Sequence, residues 1–297
     1  MSKKLISIII NCFNGEQYLE RNLNSILKQK YQKYEVIFVD NCSTDSSSKI
    51  YKKIKDKRFK YFKTSKKIKL YASRNFALKK AKGEFVAFLD VDDWWNEKFL
   101  ISRKKFFLSN KKYAFSFSNC LNYYENLKRF ESFYKKKIPS GYILDQLLKY
   151  YFVKLSTIIL KRRLLKNNKF NPYYNIIGDY DLIIRLSQKF KGMGFQDKLV
   201  NISIHRNNFT HNNRKMFYKE FKHWINDQNF NDHFFKKNEN FLSLKLEYLR
   251  LIYLLIDNKN FGLLADILKF PKLNLKIKLL IIFFIPNFLL KLKKDYF

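Results

Sequence analysis

Residues 83–95 read GEFVAFLDVDDWW, and the rest of the chain is organised around them. Phe85 to Leu89 is an apolar run introduced by Gly83-Glu84 and closed by acids. A short apolar run bounded in this way predicts a buried strand that ends in a loop. Asp90, Asp92 and Asp93 then crowd into the loop. Three carboxylates at one strand end repel one another unless a cation shares them. Oxygen-only ligands suit Mg²⁺ or Mn²⁺, which prefer octahedral oxygen shells completed by phosphate or water. The competing expectation is a solvated acidic turn that caps a helix starting near Asn96. An Asp-x-Asp by itself is a weak signal, so the choice rests on the rest of the chain.

A chain of 297 residues has room for a sizeable core, in one large domain or two smaller ones. With 46% hydrophobic and 18% aromatic residues it is globular rather than disordered. Its formal net charge of +35 calls for a polyanionic partner: nucleic acid, an anionic membrane or a phosphorylated substrate. A/T-rich codon usage, which enriches Lys, Asn, Ile, Phe and Tyr together, is a competing source of that charge. Cys12, Cys42 and Cys120 form no Cys-x-x-Cys pair and are odd in number, which predicts a reducing compartment and no structural zinc. The opening MSKKLISIII lacks the longer apolar core and cleavage site of a signal peptide and reads as a first strand.

Leu5 to Ile10 is apolar and β-branched, as a central parallel strand is. Asn14 with Gln17 forms a capping pair for a helix carrying Leu19, Leu23, Ile26 and Leu27 on one face. Val36–Val39 is a second strand, ending at Asp40-Asn41, and Ser43-Thr44-Asp45 supplies helix-start chemistry. A third strand is expected over Arg58–Phe62. A helix from Tyr71 to Lys82 follows, with Gly83 as its C′ residue. Alternating β and α elements predict a parallel, doubly wound α/β sheet. Three strand ends then fall on one sheet edge with small polar or acidic residues: 11–15, 40–45 and 90–93. That pattern describes a nucleotide-binding crevice. No G-x-G-x-x-G follows the first strand and no P-loop motif occurs, which disfavours dinucleotide dehydrogenases and P-loop NTPases.

Two stretches now become specific. SIIINCFNGEQYLERNLNSILKQKYQKYEVIFVDNCSTDSS (7–47) resembles the opening of family 2 glycosyltransferases of the GT-A fold. YASRNFALKKAKGEFVAFLDVDDWW (71–95) resembles their next block, an Arg-Asn helix followed by the Asp-x-Asp motif. The resemblance implies a Rossmann-like, mostly parallel central sheet. It implies sugar transfer from a nucleotide diphosphate, usually with inversion, in bacterial surface polysaccharide or lipooligosaccharide synthesis. Asn11, Phe13 and Asn14 would then lie beside nucleobase and ribose, and Asp40 would hydrogen-bond the base, with uracil the natural partner. The second Asp that often follows in the family is Asn41 here. Arg74 would reach the diphosphate or base, and Asp90 the ribose or metal shell. Asp92 would bind Mn²⁺ or Mg²⁺, with Asp93 a second ligand or an orienter.

In the second half, Glu97–Asn110 predicts a helix, Tyr113–Ser118 and Ser156–Leu160 predict strands, and the lysine-rich stretch between them shows no motif. NIIGDYDLIIRLSQKF (175–190) has helical apolar spacing with Asp179 and Asp181 at its start, where carboxylates cap free N–H groups. It also resembles the family's Glu-Asp motif, whose Asp is the general base. Asp179 matches that Asp, and Gly178 stands where the Glu would be. ISIHRNNFT (202–210) places His205 near a strand end, where the resemblance implies contact with metal or diphosphate. A lone His is as often structural, and the Arg that commonly precedes it in the family is Ser203 here.

Beyond residue 210 the resemblance stops, so residues 1–210 are expected to form the catalytic domain, with a nucleotide-sugar half (1–110) and an acceptor half (111–210). Residues 211–297 form a helical, basic extension. Leu279–Leu290 is nearly all apolar but only 12 residues long, against the roughly 20 that span a bilayer. Flanked by lysines, it suits a helix lying on an anionic membrane, with the protein peripheral on the cytoplasmic face; the alternative is a helix packed on the catalytic domain. Three other functions compete. LDVDD matches the form of haloacid dehalogenase-type phosphatases, but Trp94 stands where they carry Thr or Val. The charge alone suits nucleic acid, yet no zinc-finger or RNA-recognition signature supports it, so nucleic acid is not an expected partner. A non-catalytic relative is kept open by Asn41 and Gly178. The expected partners are a nucleotide-sugar donor and a glycan or lipid-linked acceptor.

Overall fold

The computed structural model describes residues 4–228, 233–257 and 259–285. The chain divides after Ser203 into two compact units.

The first unit is built on a seven-stranded sheet. Its strands are β1 (Ile6–Cys12), β2 (Tyr34–Asp40), β3 (Phe59–Lys63), β4 (Phe85–Phe88), β6 (Phe115–Ser118), β9 (Ile159–Lys161) and β10 (Gly192–Phe195). Their order is β10-β6-β9-β4-β1-β2-β3. β1 pairs in parallel with β2 and β4, β2 with β3, and β10 with β6, while β9 runs antiparallel between β4 and β6. The mostly parallel, doubly wound sheet expected from the sequence is therefore the one that forms. Ile6, Ile8, Ile9 and Ile10 are at most 1% exposed, so β1 is buried on both faces, as a central parallel strand must be. The helices are α1 (Glu16–Leu27), α2 (Ser47–Lys52), α3 (Leu70–Lys80), α4 (Phe99–Ser109), α5 (Leu144–Lys149) and α6 (Gly178–Lys189). Helix α1 buries Leu19, Leu23 and Ile26 of the predicted stripe, while Leu27 is only partly buried.

A smaller sheet has the order β5-β11-β7-β8, from β5 (Trp94–Trp95), β7 (Leu121–Tyr124), β8 (Arg129–Ser132) and β11 (Val200–Ile204). Asn201 faces Trp94 and Val200 faces Trp95 across the antiparallel β5–β11 pair. This pairing turns the chain after the acidic loop into a strand, and α4 starts at Phe99 rather than near Asn96.

Two other local expectations fail for identifiable reasons. Asn14 does not cap α1; the N-cap is Gly15, and Asn14 adopts φ 52 so that its side chain turns to the neighbouring loop. Gly83 is not a left-handed C′ residue. A Cβ there would sit 2.6 Å from Ser7 N, so glycine permits the chain to pass close to β1, where Gly83 N donates to Ser7 Oγ at 2.8 Å.

The second unit is helical: α7 (Phe209–Asn212), α8 (Arg214–Asn226), α9 (His233–Asp257), α10 (Gly262–Lys269) and α11 (Leu273–Phe284). Leu251 and Leu255 of α9, Leu263 and Ile267 of α10, and Leu279, Ile282 and Phe283 of α11 share one apolar cluster. Thus one face of the lysine-flanked tail segment packs within its own unit. The expected segment Leu279–Leu290 lies partly outside the described residues. Among the described residues no helix is long and apolar enough to cross a membrane.

Candidate active site

The carboxyl ends of β1, β2 and β4 bring three loops together, as parallel strands in this order must. The first two are stitched to each other. Asn41 N donates to Cys12 O at 2.8 Å, Thr44 N to Asn14 Oδ1 at 2.9 Å, and Gly15 N to Ser47 Oγ at 2.9 Å. Glu16 N donates to Asp45 Oδ2 at 2.9 Å, so the start of α1 is anchored by the loop that begins α2. Gly15 also faces the acidic loop: a Cβ there would lie 2.7 Å from Val91 Cγ2.

Asp40 closes β2 and is fully buried, with Oδ1 accepting from Ser43 N at 2.7 Å and Oδ2 from the Tyr61 hydroxyl at 2.6 Å. This is the loop-capping arrangement, with no carboxylate surface open to solvent. Asn41 is used in a way an aspartate could not match. Its Nδ2 donates to Ile68 O at 2.8 Å while its Oδ1 accepts from Ile68 N at 3.0 Å. Asn11 donates through Nδ2 to Ser73 Oγ at 2.7 Å. Phe13 is half exposed, with Lys67 Nζ 3.5 Å from its ring centroid.

The acidic loop is held by residues that the sequence did not single out. Asn22 of α1 is fully buried and its Nδ2 donates to both Asp90 O and Asp93 O at 2.8 Å. Ser156 Oγ donates to Asp93 Oδ2 at 2.5 Å and accepts from Asp90 N at 3.0 Å. Ser203 N donates to Asp93 Oδ1 at 3.0 Å. Asp93 is therefore buried with both oxygens engaged. Burial pushes its carboxyl well above the usual range, helped by Asp92 and Asp90. Asp90 is also pushed up by burial; Arg74 opposes this and Asp92 adds to it. Arg21, stacked 3.9 Å from the Trp94 ring centroid, donates to Asp92 O at 3.1 Å and to Ser203 Oγ at 2.9 Å.

Arg74 links this loop to the start of α6. Its guanidinium lies 2.5 Å from Asp90 Oδ1 and 4.8 Å from the Tyr71 ring centroid. The Tyr71 hydroxyl is 3.1 Å from Asp179 Oδ1. Asp90, Arg74, Tyr71 and Asp179 thus form one contiguous group, although 108 positions separate Tyr71 from Asp179. Burial raises the Asp179 carboxyl above its ordinary range, against the opposing pull of Arg74, Tyr180 N–H and the Tyr71 hydroxyl. Asp181 instead pairs with Arg185 at 2.7 Å, one turn along α6.

His205 follows β11 in the second unit. Its Nδ1 accepts from Asn207 N at 3.2 Å and its Nε2 is 3.1 Å from Asn208 Nδ2, so both ring nitrogens serve a local turn.

Among the described residues, no group of three or more His, Cys, Asp or Glu side chains is arranged as a metal-holding cluster. The donor set nonetheless fits a hard divalent cation bound mainly by substrate. Asp90 and Asp92 bring carboxylate oxygens to one loop, where burial and the neighbouring Asp92 push the Asp90 carboxyl up. Mg²⁺ and Mn²⁺ bind well through one or two carboxylates plus phosphate oxygens.

Acids and an arginine meet at the carboxyl ends of parallel strands, the edge where ligands bind in open α/β sheets. The sequence model of Glycosyl transferase family 2 matches residues 7–183, and the chain belongs to that family. It is a glycosyltransferase. It is 37% identical over 186 residues to the Escherichia coli UDP-Glc:alpha-D-GlcNAc-diphosphoundecaprenol beta-1,3-glucosyltransferase WfaP, covering 63% of this chain and 71% of that protein. It is 37% identical over 119 residues to the putative teichuronic acid biosynthesis glycosyltransferase TuaG of Bacillus subtilis, covering 39% of this chain and 46% of that one. Among solved structures, S. aureus TarS 1–349 in complex with UDP aligns with TM-score 0.58 at 22% identity, covering 91% of this chain and 76% of that one. The Pyrobaculum calidifontis mannosyltransferase PcManGT, solved with GDP-Man and Mn²⁺, aligns with TM-score 0.60 at 16% identity over 98% and 84%. These two likenesses establish the GT-A fold.

Proposed function

We propose that this chain transfers a sugar from a UDP-sugar to a hydroxyl of a glycan or lipid-linked acceptor, with inversion, in bacterial cell-surface polysaccharide synthesis. The observation that carries the reading is the Asp90–Arg74–Tyr71–Asp179 group. It places a carboxylate with raised proton affinity beside an acid–arginine pair suited to a diphosphate. The donor and acceptor named for WfaP support a UDP-sugar and a diphospholipid-linked glycan.

Asp179 is the general base. It takes the proton of the acceptor hydroxyl as that oxygen forms its bond to the anomeric carbon. The bond from that carbon to the diphosphate oxygen breaks with its electron pair leaving on the nucleoside diphosphate. One base and one in-line displacement give inversion, with no carboxylate nucleophile. Arg74 binds and orients the diphosphate. Asn11, Phe13 and Asn14 line the base and ribose side, and Asp40 shapes it through Ser43. Asp92, with Asp90, would hold Mn²⁺ or Mg²⁺, which when bound offsets the charge on the leaving diphosphate. Asp93 orients the loop through Ser156 and Ser203. His205 closes its own turn.

The membrane reading rests on α11. Leu273, Ile277, Ile281 and Phe284 recur on one helical face and are 48–72% exposed, with Lys272, Lys276 and Lys278 beside them. Such a face suits an anionic bilayer surface on the cytoplasmic side.

The test is donor turnover with UDP-, GDP- and dTDP-sugars, with Mn²⁺ and with EDTA, beside Asp92→Ala and Asp179→Ala. Metal-dependent release of UDP from one donor, lost in both variants, is the expected result. No turnover together with no nucleotide binding by calorimetry would overturn the reading.

A further inference from the structure

The amino-terminal end of the same sheet carries a second concave site. A cavity of about 780 Å³ opens beside the starts of β1 and β4. Asp40 and Asp90 stand at the opposite, carboxyl ends of β2 and β4, so the cavity is separate from the proposed active site. Its lining is unusual in charge: eight cationic side chains and one carboxylate, Glu84.

These cations are brought together by the fold from separate elements. Lys4 precedes β1, Lys79 sits in the last turn of α3, and Lys111 follows α4. Lys161 ends β9 in register with Phe85, and Arg163 and Lys166 follow in a tight 3₁₀ turn. Codon-biased surface lysines have no reason to converge on one concavity from so many elements. The protein neutralises only one of them among the described residues. Lys4 pairs with Glu84, and Lys161 Nζ donates to the backbone of Lys111 at 2.7 Å. Among the described residues, Lys79, Lys111, Arg163, Lys166 and Lys169 have no carboxylate within ion-pair distance. Burial lowers the proton affinity of Lys161, and the charges of Arg163 and Lys4 lower it further against Glu84. The floor is apolar: Leu78, Phe107 and Leu165, with Phe107 stacked 4.8 Å from Phe85.

We propose that this cavity binds a ligand bearing two or more phosphate groups. Like charges held at one concavity without internal partners are relieved by an anion of comparable charge, which a single carboxylate does not supply. A guanidinium such as that of Arg163 can meet phosphate oxygens in paired geometry, while Arg162 Nε is taken by Gly83 O at 2.5 Å, and the lysines add mobile donors around them. The apolar floor receives the non-phosphate part of the ligand. A soluble oligophosphate and a phospholipid headgroup share this chemistry.

The full chain is titrated with inorganic tripolyphosphate by calorimetry in EDTA, which keeps the acidic loop free of metal. Arg163→Glu/Lys166→Glu is compared with Lys53→Glu/Lys55→Glu, a pair of exposed lysines that makes the same charge change away from the cavity. Saturable binding that weakens at least tenfold in the first pair and less than twofold in the second is the expected result. Equal weakening in both pairs, or no saturable binding, overturns the site. Circular dichroism checks that each variant is folded, and Arg163→Ala/Lys166→Ala replaces the reversal if it is not. Sedimentation with vesicles of phosphatidylcholine alone and of phosphatidylcholine with cardiolipin, whose headgroup bears two phosphates, distinguishes the sources. Cavity-dependent binding to the anionic vesicles identifies a headgroup; tripolyphosphate binding without it identifies a soluble ligand.

Discussion

The Tyr71 ring occupies the space beside the Gly178 Cα: a Cβ at Gly178 would lie 2.4 Å from Tyr71 Cδ2. The space where the resemblance to the Glu-Asp motif implies a Glu side chain is filled here by an aromatic ring from α3, whose hydroxyl reaches Asp179 at 3.1 Å. A neutral donor stands where the resemblance implies an acidic neighbour. The two arrangements act oppositely on a base, since a carboxylate beside Asp179 raises its proton affinity and a hydroxyl donor lowers it.

Tyr71→Phe removes the hydroxyl and keeps the ring. Loss of a donor to the charged form raises the Asp179 carboxyl further. The acid limb of the kcat/KM profile is expected to move to higher pH, with a fall in kcat of about tenfold near neutrality, the order of one hydrogen bond to a charged group. An acid limb that stays in place would show that Asp179 is not the titrating base.

Gly178→Ala forces a methyl group against the Tyr71 ring. Overpacking of this kind costs about 1–3 kcal/mol, and thermal unfolding is expected to show it. In Gly178→Ala/Tyr71→Ala the ring is gone, so the two changes should be strongly non-additive. Additive losses in that double-mutant cycle would mean that the backbone, not the ring, resents the methyl.

Much of the site was legible in the chain because parallel strands are apolar on both faces and announce their own ends. Leu5–Ile10, Val36–Val39 and Phe85–Leu89 each led to a loop whose residues do converge. The contacts within the loops were not legible. That Asp93 turns inward follows from Ser156 and Ser203, which are 63 and 110 positions away. β5 is two residues long and exists only because β11 pairs with it. Asn22 reads as a polar interruption of an apolar helix face until Asp90 O and Asp93 O are seen above it. The basic cavity was hidden for the same reason: its lysines are scattered in sequence, and only the register of Lys161 on Phe85 gathers them.

Asp179→Asn separates chemistry from stability. Removal of a general base costs about 10²–10⁴ in kcat. The folded-state carboxyl is raised above its unfolded value, so the native state holds the proton more tightly. As pH rises from the ordinary carboxylate range through the folded value, the native protein loses stability relative to the unfolded chain. Asparagine lacks this penalty. The variant is expected to melt at or above the wild-type temperature at pH 7, with the gap closing near about pH 4. A variant less stable than wild type at pH 7 would show that burial of the charge is not the dominant cost at this position.

Asn22→Leu tests the support of the acidic loop. Leucine fills the same helical position but donates to neither Asp90 O nor Asp93 O. Asp93 O loses its side-chain donor at about 1–3 kcal/mol, and Asp90 O, which keeps Asp93 N, loses less. Asp93 N still donates to Asp90 O at 3.0 Å, and Ser156 still holds the Asp93 carboxylate, so the loop should loosen rather than unfold. The protein is expected to melt several degrees lower while remaining folded at 25 °C. Asp90 and Asp92 would then be presented less rigidly, and Mn²⁺-dependent turnover should need more metal, with the half-saturating concentration rising about tenfold, the lower end of what loss of a supporting contact does at metal sites. Lower stability with unchanged metal dependence would assign Asn22 to the fold alone. A shift in metal dependence larger than the loss of stability would make it a positioning residue for the cation site.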